Sequence, residues 1–358
     1  MVERLIFAIC WRATVSGSPA GASLPTNLER GKAVSDPLER MNTLLPVVVL
    51  FFLAPAIAEL LSGSSPPAEF FNPFAFVVLT ALYGGGAVIA RELTVGWGKG
   101  WASLFALGAA FGIIEEGLMV KSFFDPNWVD LGILGSYGRW AGVNWVWSVQ
   151  LTIFHSAVSI AIPILLTELM FPARHNEPWL GRRGLIGLLG IFWADVAFGN
   201  MLLTAYRPSA AVLVPTAVVA LGLVILAWCL PRQPFAAKDL AVPRSFWFWL
   251  TGFLGTLAFF LVFWVLPHTV LPPVLAILIG VGEVGLVFCV VMKMSGNGAA
   301  WSEVHRLALA AGGLSLFILL APIQEFDVTR VDNTAGMTVV GVAALVLLLW
   351  LRRRVKKN

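Results

Sequence analysis

Apolar residues in this chain come in long unbroken runs rather than alternating with polar ones. A helix needs about 20 such residues to cross roughly 30 Å of hydrocarbon. Runs of suitable length cover 44–61, 73–95, 101–119, 144–171, 185–205, 209–230, 245–266, 272–293, 304–322 and 336–351. Pro, Gly and charged residues collect between them, where turns and membrane surfaces fall. The pattern predicts an all-α, polytopic transmembrane helical bundle of about ten spans. Residues 1–41 mix Pro, Gly, Ser and charge, and their apolar piece LIFAIC is shorter than the roughly 7–15 residues of a signal-peptide core. This arm reads as disordered, or as an extension upstream of a natural start near Met41. The expected division is an arm at 1–41, a first helical bundle at 42–205 carrying the polar site, and a second at 206–358 with a basic tail.

Composition agrees: 58% of residues are hydrophobic and 12% charged, against about a quarter charged in soluble domains. Sidedness follows from Lys and Arg, which favour cytoplasmic loops. With both termini cytoplasmic, every Lys and Arg falls inside except Lys121, Arg139, Arg207 and Arg330. The expected location is therefore the plasma membrane, with the lipid bilayer as first partner. The net charge of +4 is a topology signal, so no nucleic-acid partner follows. Cys10, Cys229 and Cys289 have neither disulfide nor zinc spacing.

Against this apolar background the ionisable residues within spans stand out: Glu59, Glu115, Glu116, His155, Asp195 and Glu283. A carboxylate at a span centre costs roughly 2.5–3.5 kcal/mol on insertion scales, so it marks a functional or paired position. Glu115 and Glu116 stand about 20 Å along the third run, and His155 and Asp195 lie near mid-membrane in the next two. Asn144, Ser148, Thr152, His155 and Ser159 follow at helical steps and share one polar face. Gly108, Gly112 and Glu116 share another, where small residues admit a neighbouring backbone. Glu59 and Glu168, close to span ends, read as interfacial.

Paired glutamates on one helix, a histidine mid-way along the next and a polar motif on the one after resemble the CPBP-type glutamate intramembrane proteases over about residues 73–205. EEGLMVK supplies Glu115 and Glu116, His155 follows LTIF, and ADVAFGN supplies Asp195 and Asn200. The resemblance implies peptide hydrolysis by a glutamate-activated water. Departures are a Val120 where that family has a basic residue, a Leu151 where it has Phe, and a third motif without histidine. The chain also resembles uncharacterised bacterial membrane proteins with a YGGGA…RE…EEG pattern.

Chemically, Glu115 or Glu116 would be a general base, His155 would polarise water or stabilise an oxyanion, and Asp195 or Asn200 would orient it. No cofactor is expected, and a metal is left open although these residues lack metal-motif spacing. The substrate would be a membrane-embedded peptide. A second reading is a proton-coupled transporter of a small solute, built as a five-plus-five inverted repeat, because GIIEEGLMVK in span three and GVGEVGLVFCVVMK in span eight place Glu116 and Glu283 alike. A third is a non-catalytic scaffold whose carboxylates hydrogen-bond between helices. The aromatic, Gly-rich outer loop 120–143 would form a lid or cap.

Overall fold

Ten long helices account for the predicted runs in a computed structural model that describes residues 37–357, with side-chain surroundings from Leu44 onward. They are α1 (Leu44–Leu61), α2 (Pro73–Gly96), α3 (Trp101–Met119), α4 (Trp145–Met170), α5 (Arg182–Leu203), α6 (Ala210–Cys229), α7 (Ser245–His268), α8 (Pro273–Met294) and α9 (Glu303–Glu325), followed by α10 (Met337–Val355). Among the described residues the first nine are long and apolar enough to cross a membrane. The tenth carries Arg352, Arg353 and Arg354 in its last turn. The fold is an all-α polytopic bundle, and the expected arm at 1–41 lies outside the described residues except for a helix start at Pro37. From Leu45 onward the chain forms one compact unit.

Burial separates core helices from lipid-facing ones. In α3, 67% of the span is buried, against 11% in α6 and in α8. Apolar side chains gain nothing by leaving lipid, so inter-helix contact depends on small residues that let backbones close in. Gly108 and Gly112 do this between α3 and α4: an added Cβ would fall 2.8 Å from Ser156 Cα and 2.8 Å from His155 Cβ. Gly84 does it between α2 and α1, where a Cβ would lie 2.1 Å from the Phe51 carbonyl oxygen. A separate seam joins α7 to α9 through Gly252 and Gly312, each facing a backbone carbonyl of the other helix.

Two polar constructions close the ends near the core. At one end Arg91, 1% exposed, donates to Glu92 Oε1 at 2.8 Å and to the carbonyls of Arg174 and His175 at 3.1 and 2.9 Å. Its guanidinium lies 3.6 Å from the Trp179 ring centroid, and Glu92 accepts the backbone N–H groups of Trp179 and Leu180 at 3.0 Å each. The pair thus clasps the α4–α5 loop. At the other end, residues 120–144 fold back over α3. Two short strands, β1 (Arg139–Trp140) and β2 (Val143–Asn144), pair antiparallel around Ala141 and Gly142, both at positive φ, as a type I′ turn requires. Asn144, fully buried, accepts the Trp147 N–H at 3.0 Å to cap α4 and donates to the Leu134 carbonyl.

Removing one member of a buried charge pair costs about 3–5 kcal/mol because the other is stranded. Arg91→Gln is expected to lower the thermal midpoint in detergent and open the 171–181 loop to protease. An unchanged midpoint with an intact loop would show that the clasp carries no stability.

Candidate functional site

Among the described residues six helices widen locally, α5 at Gly199–Leu203 and α7 at Leu261–Val265 among them, and the other four do so where they bear the residues of the cluster. The segments Ala56–Leu61, Thr80–Gly84, Ile114–Met119 and His155–Ala161 are π-helical, a feature that recurs at functional sites. They carry Glu59, Tyr83, the Glu115–Glu116 pair and His155. In a regular α-helix, neighbours diverge by about 100°, which would send one glutamate away from the histidine. A wider turn has more residues per revolution and so a smaller step between neighbours, and here both carboxyl groups reach the same imidazole.

His155 lies between them. Its Nε2 is 3.1 Å from Glu116 Oε1, and its Nδ1 is 3.4 Å from Glu115 Oε2 and 3.0 Å from Ser159 Oγ. Tyr83 donates its hydroxyl to Glu115 Oε1, and Ser122 donates to Glu116 Oε2. Trp147 Nε1 in turn donates to Ser122 Oγ at 3.0 Å. Glu115, Glu116 and His155 are 5%, 8% and 2% exposed, so the cluster is shielded from lipid and bulk water. Glu115 Oε2 accepts no hydrogen bond among the described residues, its approach to His155 being an ion-pair distance without hydrogen-bond alignment. His155 is the only basic side chain within ion-pair distance of either glutamate among the described residues. Glu59 joins from α1, in contact with Tyr83 and Ser65.

The cap loop is shaped to deliver Ser122. The Val120 N–H closes the last wide turn onto the Glu115 carbonyl at 2.9 Å, and Lys121 then takes a left-handed conformation at φ +64°. Such a residue without glycine's freedom is strained by about 1–3 kcal/mol and needs its surroundings to hold it. Its side chain is buried, and Nζ donates to the Asn200 carbonyl at 2.6 Å. Burial draws the Lys121 ammonium down from the ordinary lysine value, and Arg207 adds to the effect.

Of the five residues singled out from sequence, Glu115, Glu116 and His155 meet. Asp195 is half-buried on α5, its Oδ2 has no hydrogen-bond partner among the described residues, and no ion pair or hydrogen bond ties it to the cluster. Asn200 Nδ2 donates to the Leu118 carbonyl at 2.6 Å, tying α5 to the end of α3. Glu283 lies elsewhere, facing Gly255 of α7. Ser148 and Thr152 bond back to the carbonyls of Asn144 and Ser148 at 2.6 and 2.7 Å. Tyr83, Ser122 and Trp147 were not anticipated. Glu59, which reads as interfacial by position, turns inward instead.

One ligand atom from each of Glu115, Glu116 and His155 lies within 4.8 Å of the others, the only such group among the described residues. These three could hold a divalent ion with a position left open for water. They could equally share protons directly, as the His155–Glu116 hydrogen bond does. The contacts imply strong coupling: His155→Gln is expected to destabilise the protein by about 3–5 kcal/mol through stranded carboxylates. Adding Glu115→Gln and Glu116→Gln should recover more than half of that loss in thermal melts. Simple additivity of the losses would contradict the coupling.

Residues 48–357 match the family described as an uncharacterized membrane protein family. An uncharacterized protein of Archaeoglobus fulgidus is 27% identical over 130 residues, which are 36% of this chain and 39% of that relative, so the chain spans well under half of the relative's length. No solved structure matches. With the match covering nearly the whole bundle, the chain belongs to this uncharacterized membrane protein family.

Proposed function

We propose that the chain is an intramembrane hydrolase in which Glu115, Glu116 and His155 activate a water against an amide bond of a membrane-embedded peptide. The observation that carries this reading is the imidazole held between two buried carboxylates. Glu115 is the base, because its Oε2 is the one carboxylate oxygen of the pair with no hydrogen bond. Water loses a proton to Glu115 as its oxygen bonds to the carbonyl carbon. When the C–N bond breaks, the departing nitrogen takes a proton from His155, and the proton on Glu115 passes to the ring across the 3.4 Å gap. Glu116 orients the imidazole from its other nitrogen, as the carboxylate of a catalytic triad does. Tyr83 and Ser122 fix the two carboxyl groups. Because the cluster is buried, substrate entry requires the 120–144 cap to lift. Both termini lie on the cytoplasmic side of the plasma membrane in this reading, and the bilayer supplies the substrate.

The transporter reading called for Glu283 beside Glu116. No hydrogen bond or ion pair joins the two among the described residues, which counts against transport.

The test reconstitutes wild type, Glu115→Gln, Glu116→Gln and His155→Gln in liposomes, with membrane-embedded peptides read by mass spectrometry and proton flux measured in parallel. Cleavage is expected in wild type and a fall of about 10²–10⁴-fold in each variant, the range for a lost acid–base group. Proton flux that requires both Glu116 and Glu283, without cleavage, would replace this reading with transport. Silence in both assays would leave the carboxylates as helix-bridging groups of a scaffold.

A further inference from the structure

A second polar site lies at the opposite end of α3 from the glutamates. Val95, Gly98, Lys99, Asn176 and Arg232 line a cavity of about 300 Å³, at the lower end of the ~300–1,000 Å³ range of small-ligand pockets. It forms where α2 ends, α3 begins and α6 has just ended. The α2 terminus is closed by the Lys99 N–H on the Thr94 carbonyl at 2.8 Å and the Gly98 N–H on the Val95 carbonyl at 2.9 Å, with Gly98 at φ +66°. This Schellman arrangement pins the backbone beneath Lys99, so its side chain starts from a fixed base.

The donors there are only partly used. Lys99 Nζ spends one N–H on the Leu230 carbonyl at 2.8 Å, Arg232 makes a 3.4 Å contact from Nη2 to Asn176 Oδ1, and Asn176 Nδ2 pairs with His175 Nε2 at 2.7 Å, which leaves one amide N–H over. The first turn of α3 has no side-chain cap, because Gly100 stands at its N-cap, so its N–H groups add to the positive field. Neighbouring acids are occupied: Glu92 by Arg91 and two backbone N–H groups, Glu177 by Arg174 at 3.6 Å. Trp97, Trp101 and Trp228 stand at the same helix ends, the depth at which tryptophan marks the headgroup layer.

We infer that this cavity binds the phosphate of an anionic phospholipid headgroup, with Lys99 and Arg232 as its cationic contacts and Asn176 as a further polar contact. Basic pockets between spans recognise headgroups in this way. Val95 offers an apolar wall to the glycerol backbone. On the positive-inside reading this is the cytoplasmic leaflet.

The experiment counts phosphatidylglycerol retained by the full chain on release from nanodiscs of equal phosphatidylglycerol and phosphatidylcholine, by native mass spectrometry. Wild type should hold one phosphatidylglycerol that Lys99→Gln/Arg232→Gln loses, with affinity down roughly 30-fold, the factor two basic contacts carry. The charge-preserving Lys99→Arg/Arg232→Lys should keep it, as should Arg352→Gln/Arg353→Gln, which removes equal charge from the end of α10. Equal retention by the Lys99→Gln/Arg232→Gln protein, or equal loss in the α10 variant, would overturn the site. In a parallel arm, delipidated protein is titrated with inorganic phosphate and followed by phosphorus NMR. Phosphate binding that depends on Lys99 and Arg232, without lipid retention, would assign the cavity to free phosphate and overturn the lipid inference.

Discussion

An ionised side chain in hydrocarbon has no solvent to fall back on, so a buried carboxylate in a membrane bundle must find its partners within the protein. Two adjacent glutamates make the demand acute, since each repels the other at close range. The bundle answers with one imidazole, two hydroxyl donors and a tryptophan behind one of them. They come from three segments: the imidazole and the tryptophan from α4, and the hydroxyls from α2 and the cap loop. Among the described residues, four of the six π-helical departures from ideal helix geometry, those in α1 through α4, coincide with the residues that must converge, and the other two lie in α5 and α7.

The same constraint organises the rest of the core. α3 is central because it carries both acids, and α4 approaches it across Gly108 and Gly112 because the imidazole must arrive within hydrogen-bond reach. The cap loop accepts a strained Lys121 in exchange for placing Ser122 beneath Glu116. Near the other end of α2, the buried Arg91 is paired and stacked rather than left alone. By contrast α6 and α8 show mostly apolar surface, which lipid satisfies without any specific partner. Polar satisfaction fixes the inner helices to one another, while the outer ones are held by packing and small-residue contacts.

Much of this was legible in the residue order. Span positions follow from run length, because hydrocarbon thickness sets the length of a crossing helix. The meeting of Glu116 with His155 could be anticipated from the glycines that share a face with the acid and from the polar stripe through the histidine. The wide turns could not, since nothing in IEEGLM distinguishes a π turn from an α turn. That hid Glu115's approach to the same ring. Tyr83 was overshadowed by the three glycines after it, and Ser122 depends on a left-handed residue that favours glycine and here is lysine. Glu59 lies near a span end yet turns inward. Asp195 follows the helical order of the motif, but its side chain finds no partner in the cluster. The likeness between GIIEEGLMVK and GVGEVGLVFCVVMK is not matched by contact, for a few shared residues among apolar segments carry little information about packing.

The contact on which everything turns is the imidazole held between two carboxylates, and it can be observed directly in a bilayer. Solid-state NMR of protein labelled with ¹⁵N at its four histidines and ¹³C at glutamate carboxyl carbons would measure nitrogen–carbon dipolar couplings. Both ring nitrogens of His155 should couple to carboxyl carbons at about hydrogen-bond range, the Nε2 coupling disappearing in Glu116→Gln and the Nδ1 coupling in Glu115→Gln. A His155 ring that shows neither coupling and exchanges freely with water would contradict the account.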